Sequence, residues 1–446
     1  MIQAARNAFN LPDLRRKILY TFLILAIYRL ASHVPVPGVN QAALKQLLQS
    51  SVPTTGLVNL LDLLSGGAIT NFSVLAMGVY PYITASIIVQ LLVPIIPYLE
   101  NLQKEGEAGR NKINQYVVYA TIPLALLQAV GQIRLLTAGT GGQSVLPSFG
   151  FTGPQILPTI TILVTMTAGT MFAIWLGQLI DEQGIGNGVS LIIFGGIVAR
   201  LPQNISSLMV DPTTRWVALT AFILITIFTV LVIVYMQEGQ RRIPVQYGKR
   251  VRGRKVFGGG GTHIPLRINT AGMIPLIFAQ SILTFPAVIA QFLPGAAQTG
   301  TFAHTLIAMF SGGRRSVAGF GDWTAIFYWS VYFLMVVGFT YFYTDVMMQQ
   351  QNLPDNLQKQ GGFIPGIRPG KRTEEYINGV MRRITLVGSL LLGFVAVLPF
   401  LVSPILPSAT SFSFMSTGLL IVVGVVIDTM RQLEAQLLMR HYEGIF

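Results

Sequence analysis

The residues capable of acid–base, metal or nucleotide chemistry are few and poorly placed for it. His33, His263, His304 and His441 lie far apart, without HExxH or any other ligand spacing, so no metal site is expected. Asp181, Glu182, Asp345 and Asp428 sit towards the ends of apolar runs. An intramembrane protease needs paired Asp, a Ser with a His partner, or a metal motif, and an ion-coupled transporter keeps buried Asp, Glu or His as a relay. Neither pattern occurs. Gly370-Lys371 is followed by Arg372, and Pro365 stands where a P-loop needs glycine, so no built-in ATP motor is expected. The lack of cysteine excludes disulfides and thiol chemistry. An enzyme is therefore not expected, nor a cofactor. Arg29 is charged and lies inside an apolar run; snorkelling or pairing with a carbonyl accounts for it most simply.

The chemistry that is present is cationic. Between Glu238 and Asn269, the basic residues Arg241, Arg242, Lys249, Arg250, Arg252, Arg254, Lys255 and Arg267 are interleaved with Ile243, Val245, Tyr247, Val251, Val256 and Phe257. That alternation, with glycines at the turns, predicts a β-hairpin. A basic, semi-rigid arm suits RNA phosphate or an acidic protein surface. The alternative is topology signalling or contact with anionic lipid. So many basic residues exceed what topology alone needs, which favours docking. A second stretch, Gly361-Gly362-Phe363-Ile364-Pro365-Gly366-Ile367-Arg368-Pro369-Gly370, is dense in turn formers. It fixes an exposed tip that presents Arg368 and then Lys371-Arg372.

These arms must be carried by membrane-spanning elements. Of 446 residues, 52% are hydrophobic and only 11% charged, which is too little charge for a soluble surface. Mean hydropathy is +0.60. The expected class is a polytopic helical membrane protein, and the net charge of +13 fits basic cytoplasmic loops. Runs of about twenty mostly apolar residues lie near 18–36, 73–97, 117–136, 155–180, 187–206, 216–236, 272–293, 323–347, 382–403 and 412–431. The first, Ile18 to Val34, lacks a small-residue cleavage site and reads as a retained span. Arg6, Arg15, Arg16 and Lys17 place the N-terminus in the cytoplasm, and an even number of spans returns the C-terminus there. Roughly four-fifths of the Lys and Arg then fall on that side, as the positive-inside rule requires. Trp216, Trp323, Tyr328 and Trp329 are expected as interfacial anchors. Ten spans divide into halves 1–206 and 207–446, with cytoplasmic loops near 237–271 and 348–381. That parity allows an inverted repeat with a site between the halves.

One apolar stretch, Leu57 to Pro97, is broken. Asn59 to Leu64 is an apolar half-helix too short to cross a bilayer, Ser65-Gly66-Gly67 interrupts it, and Ser73 to Pro97 is long enough to span. Irregular backbone at membrane depth survives only where protein buries it or water lines it. The stretch reads either as an element sitting in a cavity or pore, or as a re-entrant turn of no consequence.

Several segments in order resemble the SecY/Sec61-alpha family, the channel subunits of the general protein-secretion translocon. They are SGGAITNFSVLAMGVYPYITASIIVQLL, GIGNGVSLIIFGGIVA, EGQRRIPVQYGKR, THIPLRINTAGMIPLIFAQSIL, GGFIPGIRPG and LEAQLLMRHYEG, and the likeness covers essentially the whole chain. The resemblance implies an all-α, ten-span hourglass of two pseudo-symmetric halves (spans 1–5 and 6–10) with a plug helix and a lateral gate. By that likeness the plug is about residues 57–70, including Asn59, Leu60, Leu61, Asp62, Leu63, Leu64, Ser65, Gly66 and Gly67. The pore ring is Val79, Ile83, Val189, Ile193, Ile277 and Ile421; the pairs Val79/Ile83 and Val189/Ile193 have i, i+4 spacing that puts each on one helix face. An aliphatic collar seals by dewetting and yields around a moving chain because it makes no fixed hydrogen bonds. Without the family, core or lipid-facing packing is the default for these residues. Val79 and Val189 stand where the family more usually has Ile, and the run Gly258 to Gly261 is longer than typical.

The lateral gate maps to Thr84, Gln90, Gln280, Ser281, Thr284 and Phe285. Through it a hydrophobic signal sequence would partition into lipid, gaining burial of apolar surface. The resemblance further implies that the basic arms dock the SecA ATPase or the ribosome, with Arg368 foremost in the second arm. It implies SecE and SecG subunits, signal peptides and nascent chains, and membrane lipids as partners. It also implies a bacterial plasma-membrane location with both termini cytoplasmic. A solute transporter with a midplane broken-helix site is the competing class; missing intramembrane carboxylates and the docking arms weigh against it.

Overall fold

The structure, a computed structural model, describes residues 11–44, 65, 67–138, 145–147, 149–150, 153–208, 215–247, 250–252, 255–257, 261–272, 274–291, 293, 301–310, 323–351, 353–402 and 410–443. Its helices are α1 (Pro12–Ala31), α2 (Tyr80–Leu92), α3 (Pro97–Lys104), α4 (Glu107–Ala138), α5 (Ile156–Gln183), α6 (Gly188–Leu208), α7 (Arg215–Glu238), α8 (Ile274–Gln291), α9 (Phe302–Phe310), α10 (Trp323–Gln351), α11 (Leu353–Lys359), α12 (Lys371–Val402) and α13 (Thr410–Glu443). Strands β1 (Gln240–Tyr247), β2 (Arg250–Arg252), β3 (Lys255–Phe257), β4 (Gly261–Arg267) and β5 (Gly362–Phe363) all lie in the two basic loops. Each of the ten expected spans coincides with a helix: α1, α2, α4, α5, α6, α7, α8, α10, α12 and α13. Among the described residues, α4, α5, α7, α10 and α12 are each long and apolar enough to cross a bilayer alone.

Span two departs from expectation. Residues 73–97 read as one full span, but the continuous helix is the 13-residue α2, about 20 Å long. Residues 73–79 form a chain of tight turns instead: Ala76 donates to Ser73 O, Gly78 to Leu75 O and Tyr80 to Met77 O. Gly78 has φ +52°, outside helical space, and Pro81 then suits the first turn of α2. At the other end the chain turns by 98° into the amphipathic α3. A second correction concerns Tyr328, expected at the interface. It is only 3% exposed and shares a buried stripe of α10 with Tyr332 and Val336, at i, i+4, i+8. Trp216 and Trp323 are exposed, as anchors require.

The chain forms two compact units. The first comprises Met1–Thr226, Ser281–Trp329 and Pro399–Phe446. One of its cores gathers Val36, Leu44, Ile69, Phe72, Ala125, Ile133, Ile162 and Met166, packing the segment after residue 65 against α4 and α5. A smaller core joins Leu14 of α1, Ile185 of the α5–α6 turn and Leu433 of α13. In that turn Asp181 Oδ1 accepts from Gly188 N at 2.7 Å and Asn187 Oδ1 accepts from Ser190 N at 3.0 Å, capping α6. Asp181 therefore serves as a helix cap at a span end. The second unit comprises Ile227–Gln280 and Ser330–Leu398 and carries the sheet, in order β4-β1-β5.

Candidate functional site

In the first unit the structure builds a frame around the C-terminal part of the broken stretch. Residues 59–64 and Gly66 lie outside the described residues. Ser65 and Gly67 to Thr70 are buried or half-buried turns, which agrees with the predicted break. The segment is held from three sides. The Tyr28 hydroxyl of α1 donates to Ser65 O at 3.2 Å. Val36 N donates to Phe72 O at 3.0 Å, and Val74 N to Val34 O at 2.9 Å. Arg200, near the end of α6, donates from Nη2 to Thr70 Oγ1 at 2.8 Å, and Thr70 Oγ1 in turn donates to Gly67 O at 2.7 Å. Gly67 has φ +92°, and a Cβ there would lie 2.6 Å from Arg200 Nε, so only glycine lets the guanidinium cover this turn. Arg200 is not among the site residues that the sequence singles out; nothing local to its helix signals a partner 130 residues away.

Ring candidates fall as follows. Val79, Ile193 and Ile421 are buried, at 1%, 3% and 1% exposure. Ile83, Val189 and Ile277 are half-buried. Ile83 N donates to Val79 O at 3.1 Å, so this pair shares the first turn of α2 as its spacing predicts. Val189 packs against α5, where a Cβ on Gly177 would sit 3.3 Å from its Cγ2. Five of the six candidates belong to the first unit, and Ile277 belongs to the second.

Among the gate candidates, Thr84 and Gln90 are engaged close to home. Thr84 Oγ1 donates to Tyr80 O at 3.0 Å and accepts from Gln128 Nε2 at 3.2 Å, tying α2 to α4. Gln90 Nε2 donates to Ser86 Oγ at 3.2 Å. The carbonyl oxygens of Gln90 and Gln128 are buried and, among the described residues, unpartnered. Buried amide oxygens left open are costly, so these two weaken the α2–α4 contact that the Thr84–Gln128 bond supports. Gln280 and Ser281 are buried on α8; the side chains of Thr284 and Phe285 lie outside the described ones.

The second unit turns the two basic loops into one body. β1 pairs with β4 along seven residues, from Gln240↔Arg267 to Gln246↔Gly261, which is the predicted hairpin. β5, from the other loop, adds to the opposite edge of β1 through Gln246↔Phe363 and Tyr247↔Gly362. Beneath this sheet Ile243, Val245, Leu266, Met348, Leu357, Ile364, Ile377, Val380 and Met381 form a core. A Cβ on Gly362 would meet Tyr247 Cε1 at 3.0 Å, Leu357 Cδ2 at 3.2 Å and Val245 Cγ1 at 3.3 Å, so a side chain at this position would have to push these neighbours back by a few tenths of an ångström. Ile364 is buried and Ile367 half-buried, while Arg368 and Pro369 are exposed. The tip is thus pinned by its isoleucines and displays its arginine. Arg241, Arg242, Lys371 and Arg372 are exposed too. Arg250, Arg252 and Lys255 lie on the small β2–β3 hairpin, with side chains outside the described ones, and Lys249 and Arg254 are outside the described residues.

A SecY family model matches residues 73–430. The chain belongs to the SecY family. The protein translocase subunit SecY of Streptomyces scabiei is 41% identical over 452 aligned residues, covering all of this chain and 99% of that one. The solved structure of a protein conducting channel matches with a TM-score of 0.62 at 19% identity, over 94% of this chain and 92% of the other. Sec61 in the canine ribosome–channel complex from the endoplasmic reticulum matches with a TM-score of 0.59 at 18% identity, again over 94% and 92%. The ten-helix channel fold of those proteins is therefore the fold of this SecY-family chain.

Proposed function

We propose that this chain is a protein-conducting channel. It passes unfolded secretory polypeptides across the membrane and releases signal and transmembrane segments sideways into lipid. The observation that carries this reading is kinship along the entire length with protein translocase subunits, at 41% identity and with no region of either chain left over beyond 1%. The physical features agree with it. An aliphatic set without intramembrane relay carboxylates suits passive conduction, and the lack of a P-loop assigns the driving energy to an external partner.

The united basic module is the docking surface for that partner, either the SecA ATPase or a translating ribosome. The Sec61 neighbour is a ribosome-bound channel, which favours the second of these as a partner class. An exposed Arg368 on a pinned tip suits phosphate or carboxylate recognition through its planar fork of donors. We place the chain in a bacterial plasma membrane with both termini cytoplasmic, alongside SecE and SecG, and assign Val79, Ile83, Val189, Ile193, Ile277 and Ile421 to the waist. The test is site-specific cross-linking from Ile193, with Ile83 as second probe, to a secretory chain stalled midway. Adducts that require a functional signal sequence support the channel; no adduct from either position refutes the waist.

A further inference from the structure

In the first unit, α2 and α3 meet at an elbow, Pro94-Ile95-Ile96-Pro97, whose most exposed side chains are apolar. The Leu92 carbonyl accepts from Ile95 N at 3.0 Å and from Ile96 N at 2.8 Å, which closes α2. Ile96 is extended, at φ -99° and ψ 110°, as a residue before proline prefers, and Pro97 then opens α3. The chain has turned by 98°. One side of α3 lies against the start of α4: Leu102 is 3% exposed, and a Cβ on Gly109 would collide with its carbonyl. Another side is polar, with Asn101 and Lys104 exposed and Lys104 Nζ paired to Glu100 Oε1 at 2.6 Å. Ile95, Ile96 and Tyr98 are 71%, 37% and 59% exposed. A lone exposed isoleucine is ordinary, but large apolar side chains grouped at one corner form a patch that water penalises.

The neighbouring α4 gives the level at which this corner sits. Arg110, Lys112 and Gln115 are exposed, and after them Tyr116, Tyr119 and Ile122 are exposed. That change from polar to apolar marks the boundary between headgroups and hydrocarbon, where tyrosine is favoured. The hydroxyls of Tyr98 and Tyr116 share a hydrogen bond at 3.3 Å, so the start of α3 lies at this boundary. We propose that the elbow is an interfacial anchor. Ile95, Ile96 and Tyr98 seat in the leaflet at the N-terminal end of α4, and α3 lies in the membrane plane with Asn101 and Lys104 in water. The occupant of the patch is lipid, because the patch continues the apolar exposed stripe of α4, and an amphipathic helix in the interface binds through buried apolar area. The anchor moors α2, a helix of only about 20 Å, to the bilayer at one end. The inference rests on α4 crossing the bilayer and not on what the chain conducts.

The sequence has no cysteine, so nitroxides can be placed one at a time. Full-length Ile95→Cys, Ile96→Cys, Asn101→Cys and Lys104→Cys are labelled and reconstituted, without any other protein, into vesicles of dioleoyl phosphatidylcholine and phosphatidylglycerol in equal parts. Power-saturation EPR compares collisions with oxygen, which concentrates in hydrocarbon, and with a nickel chelate, which stays in water. Oxygen should dominate at 95 and 96, and the nickel chelate at 101 and 104. Ile95→Glu combined with Ile96→Cys should shift the label at 96 towards the nickel chelate, whereas Asn101→Gln in the same background should leave it in place. Nickel dominating at 95 and 96 would put the elbow in water and overturn the proposal. Low collision with both reagents there would mean that protein, such as a second copy, covers the patch, and would overturn the lipid assignment. A label at 96 unmoved by Ile95→Glu would overturn the elbow as the immersed element. All variants are first compared by circular-dichroism melting, and the altered side chains are exposed, so loss of fold is separable from loss of anchoring.

Discussion

Removing one isoleucine should uncouple the two basic loops. Ile364 is 3% exposed and sits in the core under β1, beside the two residue pairs that join β5 to β1. Ile364→Ala deletes three carbons from that core, and substitutions of this kind cost about 2–4 kcal/mol when the site relaxes only partly. The sheet edge offers little to offset the loss, because β5 contributes just two residues to the ladder. Each 1.4 kcal/mol is a tenfold change in an equilibrium, so opening of β5 from β1 should rise roughly thirty- to a thousand-fold. Amide hydrogen exchange reads this directly. Protection should fall by that factor at the amides that pair Gln246 and Tyr247 with Gly362 and Phe363. It should change little at the far end of β1, where Gln240 and Arg241 pair with Arg267 and Leu266. Translocation driven by an external partner should fall as well, because Arg368 is then displayed on an untethered loop. Unchanged exchange at the β1–β5 pairs would refute the claim that this core holds the loops as one body.

Three further outcomes are expected. Arg368→Glu should abolish translocation while membrane insertion of the protein and β1–β5 exchange stay normal, since Arg368 is exposed and the Thr373 hydroxyl donates to its backbone carbonyl, which the substitution keeps; normal secretion in that variant would count against its proposed docking role. Thr84→Val should leave Gln128 Nε2 without its acceptor and weaken the α2–α4 pairing by about 1–3 kcal/mol, seen as a lowered thermal midpoint that Gln128→Leu in the same chain restores. An unchanged midpoint would mean the bond contributes nothing to holding these helices. Gly67→Ala places a Cβ against Arg200 at positive φ, a strain of about 1–3 kcal/mol, and should speed exchange across 67–72; Arg200→Ala combined with it should recover part of the loss. No recovery would show that backbone strain, and not the guanidinium, sets the cost.

Much of this protein is legible in one dimension because the bilayer makes it so. A span must present about twenty apolar residues whatever its neighbours are, so a helix falls within each of the ten apolar runs, and the hairpin follows from the alternation over Arg242 to Tyr247. Kinship legible in several ordered motifs pointed to the channel fold. What only tertiary structure decides are the pairings between remote positions. Gly362-Phe363 has no strand pattern, being two residues in a turn-rich tip, and becomes a strand because β1 leaves an edge to fill and Ile364 a core to enter. Arg200 carries no signal in the sequence until folding brings it to Thr70. Tyr328 reads as an anchor until packing buries its face of α10, since hydropathy cannot distinguish lipid from protein around an aromatic ring. Span two looks complete by composition, yet turns at 73–79 replace its first helical turns, because bonds within the segment and from Ser73 N and Val74 N to Ala68 O and Val34 O satisfy backbone groups that lipid could not.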